Sequence, residues 1–118
     1  MEETLSYHDV TKKSQESFYH GMMLAFGSGL KATHIVSSNK ESGKGRYDLA
    51  LTPIDPTKLG IIMEFKAVND ETKLSDTATE ALAQIKKSKY STELKSKGIN
   101  RICFMGIAFS GKAIKIVT

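Results

Sequence analysis

Asp48, Glu64 and Lys66 are the residues of this sequence whose types and spacing could do chemistry together. Each charge is set in an otherwise apolar stretch, Tyr47-Asp48-Leu49 in one case and Met63-Glu64-Phe65-Lys66 in the other. Side chains alternate between the two faces of a strand, so Glu64 and Lys66 project from one face about 6–7 Å apart. If the strand carrying Asp48 pairs beside theirs, two carboxylates converge. Their repulsion is relieved by a hard divalent cation with oxygen ligands, Mg²⁺ or Mn²⁺. An ion so held, with an ammonium beside it, can position a water, neutralise a phosphate and help a leaving oxygen, which is what phosphodiester hydrolysis requires. The opposing reading is an edge strand whose solvated face carries charges that discourage aggregation.

The elements that must position these groups are legible from hydrophobic spacing. Phe18, Tyr19, Met22, Met23, Phe26 and Leu30 recur every three or four residues, which predicts an amphipathic helix from Thr11 to about Leu30. A brief strand follows at His34–Ser38, then a polar, glycine-bearing loop from Asn39 to Gly45. A second strand spans Tyr47 to Thr52 and is stopped by Pro53 and Pro56, and a third spans Leu59 to Val68. Leu74, Ala78, Ala81, Leu82 and Ile85 mark a second helix running to about Lys89, with Thr77 and Glu80 as its expected capping pair. Tyr90 to Gly98 reads as a basic connection. Two apolar strands, Arg101–Phe109 and Ala113–Val117, close the chain around a turn at Ser110-Gly111-Lys112. The expectation is a single α/β domain over residues 1–118, with helix, three strands, helix and two strands in order.

This order, carrying Asp and then Glu-x-Lys, resembles the PD-(D/E)XK nuclease superfamily, to which restriction endonucleases and Holliday-junction resolvases belong. Longer stretches are similar to one branch of it: Phe18-Tyr19-His20-Gly21, Ser38 through Asp48, Ile61 through Lys66, and Ala81 through Tyr90. That branch is the domain found at the C-terminal end of predicted AAA-ATPase-like proteins. The resemblance implies a restriction-endonuclease-like αβββαβ core, a mixed central sheet flanked by helices. It implies an Mg²⁺-dependent nuclease in which Asp48 and Glu64 bind the ion, joined by the Phe65 carbonyl, and Lys66 assists the attacking water. Tyr47 stands where the motif's proline would be, and that position supplies no metal ligand. By the same resemblance Glu16 is the candidate for an acid on the first helix and Gln84 for a glutamine on the second. A solvated glutamate at a helix start and an amide satisfying backbone groups are the bland alternatives for these two.

Arg46 shares the parity of Asp48 and could hold either that carboxylate or a substrate phosphate. Five lysines between Lys86 and Lys97 face one acid, Glu93, so Lys86, Lys87 and Lys89 are candidates for nucleic-acid contacts, with a solvated face as the competing account. His20 is expected to pack or to form a hydrogen bond, because a metal-and-lysine scheme needs no general base. The whole chain has 17 Lys and Arg against 13 Asp and Glu, a net +4, which is compatible with a polyanionic partner without requiring one. The single cysteine, Cys103, excludes an internal disulfide and suits a reducing compartment. No apolar run approaches the length of a membrane span, and Met1-Glu2-Glu3-Thr4 lacks the pattern of a secretory signal, so a cytoplasmic location is expected. The expected partner is nucleic acid, with DNA favoured. A homodimer, and an ATPase-like partner or attached domain, are left open. The alternative function is a catalytically silent nucleic-acid-binding or protein-interaction module of the same fold.

Overall fold

The computed structural model describes residue 17 and residues 20–41, 46–110 and 113–118. Helix α1 covers residues 20–29, and the strands β1 (His34–Glu41), β2 (Arg46–Pro53) and β3 (Gly60–Ala67) follow it. A short 3₁₀ turn, Glu71–Lys73, leads into α2 (Leu74–Lys86), then α3 (Lys89–Ser96), β4 (Ile102–Ser110) and β5 (Ala113–Val117). The five strands form one sheet in the order β1-β2-β3-β4-β5. All neighbours are antiparallel except β3 and β4, which are parallel. This is the mixed α/β sheet that the sequence predicts. The parallel step follows from the crossover through α2 and α3, since a parallel pair cannot be joined by a tight turn.

Strand alternation divides the interior into two layers. Leu49, Leu51, Met63, Phe65, Ile107 and Phe109 point to one side, where Met22, Met23 and Phe26 of α1 and Leu30 just after it pack against them. The Phe65 and Phe109 rings stack at 6.2 Å there. On the other side Ala50 and Ile62 meet Leu82, Ile85, Leu94 and Ile99 from α2, α3 and the segment after it. Being covered on both faces, β3 reads as an almost unbroken apolar run. No helix among the described residues is long and apolar enough to cross a membrane.

Three local expectations are corrected. The first strand extends to Glu41, because Asn39, Lys40 and Glu41 pair with Asp48, Tyr47 and Arg46 across the hairpin. Thr77 and Glu80 do not cap α2, which already begins at Leu74. The entry is instead held by Asp70, whose carboxylate accepts from the Thr72 amide at 2.9 Å and hydroxyl at 2.7 Å. These bonds, the hydroxyl first, hold the Asp70 carboxyl below its ordinary value of 3.8. What they contribute is therefore present above that value and is lost as pH falls through the lower, folded one.

The third correction concerns Tyr90 to Gly98, most of which is the helix α3 rather than a connection. Tyr90 and Leu94 are one helical turn apart, and Leu94 is buried against Ile99 in the α2 layer. Lysines around that short apolar stripe mask it in composition. The helix ends in a nested pair of hydrogen bonds, from the Gly98 amide to the Lys95 carbonyl and from the Ile99 amide to the Leu94 carbonyl, both 3.0 Å. Gly98 adopts φ +82°, a conformation only glycine takes without steric cost. Gly98→Ala is therefore expected to destabilise the protein by about 1–2 kcal/mol, read as a lower urea midpoint at unchanged slope.

Candidate functional site

Register decides which side chains meet. In the antiparallel β2–β3 ladder Asp48 lies directly opposite Glu64, and Arg46 opposite Lys66. Directly opposed residues have Cβ atoms about 4.5–5.5 Å apart, close enough for two carboxylates to share one cation. Both acids have the parity of Ala50 and Ile62, so they face the α2 layer, away from α1. Because β3 is hydrogen-bonded to both β2 and β4, it is an interior strand, which removes the edge-strand account of its charges. Glu64 is only 2% exposed. A buried carboxylate needs compensation, and a structural role on a solvated face is not available to it.

Lys66 projects from the same face and donates to Glu80 Oε1 on α2 at 3.2 Å. Its side chain is 15% exposed whereas that of Glu80 is 63% exposed, so the pair spans the boundary between interior and solvent. Glu80 and Gln84 are four residues apart and share one flank of α2. The Gln84 side-chain oxygen is buried and accepts no hydrogen bond. What lets α2 sit so close to the sheet, through its Ala78 and Leu82 side rather than the Glu80–Gln84 flank, is Gly106 of β4, the parallel register partner of Glu64. A Cβ at Gly106 would overlap the Ala78 carbonyl oxygen and lie 2.6 Å from the Leu82 nitrogen.

Glu80 and Gly106 are the positions that sequence reading missed. Glu80 drew notice only as a capping partner, although its four-residue spacing from Gln84 was available. A glycine inside an apolar strand is itself a sign of close backbone approach. Gln84 is brought to the same layer as Asp48, Glu64 and Lys66. Phe65 sends its ring into the α1 layer, so only its backbone carbonyl remains eligible for the site. Arg46 enters through its backbone, which sits opposite Lys66. Lys86, Lys87 and Lys89 are all exposed. Helical spacing sets Lys87 beyond Gln84 on the same flank but Lys86 about 200° round the helix from it. His20 is exposed rather than packed. Glu16 lies outside the described residues.

The donor set fits a hard divalent cation. Asp48 Oδ1 and Glu64 Oε2 are buried oxygens that accept no hydrogen bond, although both residues engage other groups. Among the described residues no cluster of three or more His, Cys, Asp and Glu is assembled. The described residues would thus offer two carboxylates, with amide, carbonyl or water oxygens joining them. Mg²⁺ accepts such a set readily, since it retains several waters and commonly uses one or two carboxylates together with substrate phosphates.

Neither a curated protein nor a solved structure matches the chain. A family model described as the PD-(D/E)XK nuclease superfamily matches residues 14–118. That span contains both carboxylate strands, Lys66 and the helix pressed onto them, and the chain belongs to the PD-(D/E)XK nuclease superfamily.

Proposed function

We propose that this protein is a metal-dependent nuclease that hydrolyses phosphodiester bonds of nucleic acid, with DNA as the favoured substrate. The observation that carries this reading is the facing of Asp48 and Glu64 across the β2–β3 ladder, with Lys66 two residues farther along the same face. Asp48 and Glu64 would hold Mg²⁺ or Mn²⁺, with the Phe65 carbonyl as the candidate third oxygen donor. When bound, the ion supplies charge neutralisation at the phosphate and lowers the pKa of a coordinated water. The protein's own residues do the rest. Lys66 presents its ammonium to the non-bridging phosphate oxygens and to the attacking water, where negative charge builds up during displacement. Gln84, with an oxygen free to accept a hydrogen bond, orients that water or a neighbouring ligand. The low exposure of Glu64 keeps bulk water from competing for these contacts.

Substrate outside the cleft meets exposed lysines. In this reading Lys87, on the Gln84 flank, and Lys89, at the start of α3, contact phosphates next to the scissile one, and Arg46 is a further candidate for such a contact. Lys86 contributes to the general positive field. An ATPase-like partner or attached domain is part of the proposal on the resemblance of the Phe18–Gly21, Ser38–Asp48, Ile61–Lys66 and Ala81–Tyr90 stretches alone.

The test is cleavage of labelled duplex, single-stranded and branched DNA and of RNA by the purified chain. Mg²⁺ or Mn²⁺ is expected to support cleavage, and Ca²⁺ to support binding with little turnover. Binding without cleavage in either ion on every substrate would replace this reading with the silent binding module.

A further inference from the structure

From the last turn of α2 to the start of β4 the charge balance is one-sided. Lys86, Lys87, Lys89, Lys95, Lys97 and Arg101 are all exposed, and Glu93 is the one acid between residues 86 and 101. Glu93 lies four residues from both Lys89 and Lys97, a spacing at which a solvated helix forms ion pairs, yet it pairs with neither. Among the described residues Lys95 and Arg101 have no ion pair either. These charges stand on a rigid base. Leu94 and Ile99, each 1% exposed, fix α3 in the layer that holds Ala50 and Ile62, on the sheet face that carries Asp48 and Glu64. A Cβ at Gly60 would meet Leu94 Cδ2 at 2.8 Å, and the Gly60 amide donates to the Arg101 carbonyl at 2.8 Å. Gly60 precedes Glu64 by four residues on β3, which sets α3 and Arg101 about 13 Å from the facing carboxylates. A duplex strand carries one phosphate per about 3.4 Å of helix axis, so the interval is about four base pairs.

We propose that Lys95, Lys97 and Arg101 form a second phosphate-binding surface, which grips the nucleic-acid backbone about four base pairs to one side of the scissile bond. The inference rests on the nuclease reading and gives its substrate a direction, from the carboxylate row toward α3. Lys87 and Lys89, at the junction of α2 and α3, lie along the way. An acidic protein is the weaker fit, because protein interfaces have an apolar centre. None of the large hydrophobics exposed among the described residues falls between residues 86 and 101. A local account competes for the two lysines, since cations at the C-terminal end of a helix complement its dipole. It does not cover Arg101, which lies outside any helix.

Fluorescence anisotropy of a labelled duplex several times longer than this interval, in Ca²⁺ so that the strands stay intact, measures affinity of the full chain against salt. Log affinity falls with log salt by about 0.9 per phosphate contacted. The triple variant Lys95→Gln, Lys97→Gln, Arg101→Gln is expected to flatten that slope by about 2–3, and Arg101→Gln alone by about 1. The single variant gives the same readout should the triple variant fold poorly. Lys31→Gln removes an exposed cation beside Leu30 of the α1 layer and should leave the slope unchanged. An unchanged slope in the triple variant overturns the inference, and a lowered urea midpoint beside it assigns the lysines to the helix dipole. A similar loss for each charge removed, Lys31 included, also overturns it, in favour of a general positive field. Polyglutamate binding that matches the duplex overturns it in favour of an acidic protein partner. Wild-type protein that binds no nucleic acid overturns the nuclease reading and this inference with it. Wild-type protein that binds and cleaves, with the variant slopes unchanged, overturns this inference alone.

Discussion

Lys66→Met is expected to lower the rate of Mg²⁺-supported cleavage by about 10²–10³-fold, the usual effect of removing one group that stabilises charge in the transition state. Methionine keeps much of the length of the lysine side chain and loses only the charged end. The side chain is 15% exposed, so its apolar stem already packs within the α2 layer and the fold should tolerate the change. Single-turnover cleavage at saturating Mg²⁺ and substrate measures the effect on the chemical step. The contrast with Asp48→Asn makes the result diagnostic. Loss of a metal-binding carboxylate raises the concentration of Mg²⁺ needed for activity, so part of the lost rate returns as Mg²⁺ is increased. No concentration of metal should restore Lys66→Met. Equal responses of the two variants to added metal would remove the division of labour between carboxylates and ammonium.

Gly106→Ala is expected to be the most damaging small substitution for the fold, costing about 3 kcal/mol, at the upper end of what overpacking produces. The added methyl meets backbone atoms of Ala78 and Leu82, which cannot move aside unless α2 moves with them. Gly60→Ala provides the comparison, because its nearest neighbour is the end of the flexible Leu94 side chain at 2.8 Å, and rotation of that side chain gives relief. Urea unfolding should therefore rank Gly106→Ala well below Gly60→Ala in stability. Displacing α2 also moves Gln84, so whatever fraction of the variant folds should bind Mn²⁺ more weakly than wild type. If Gly106→Ala is no less stable than Gly60→Ala, the tight seat of α2 on β4 is not what holds that helix in place.

Both outcomes depend on contacts that differ in how far they can be read from the sequence. The strands β2 and β3 are legible because alternation between faces is a local property. Parity alone put Glu64 and Lys66 on one side, and the structure agrees. The helix α3 was not legible, because its apolar stripe is reduced to Tyr90 and Leu94 among lysines, and a stripe so short is recognisable only once Ile99 and the α2 layer close over it. The entry to α2 was misread for a related reason. Thr77 and Glu80 have the right types for a capping pair, but the helix had already begun one turn earlier, and Glu80 is committed to Lys66.

By itself the sequence determined the α/β class, the alternating strands, the face shared by Glu64 and Lys66, and the residue types that a hydrolytic metal site needs, because each is a matter of periodicity or of side-chain chemistry. Only the tertiary structure decided that Asp48 sits opposite Glu64 rather than a residue away, that β3 is an interior strand, and that Glu80 is the partner of Lys66. These are facts of register and of helix placement. A one-residue slip between strands would turn a carboxylate to the other face, and what sets the helix height is a missing side chain at Gly106, whose meaning appears only when α2 is laid against it.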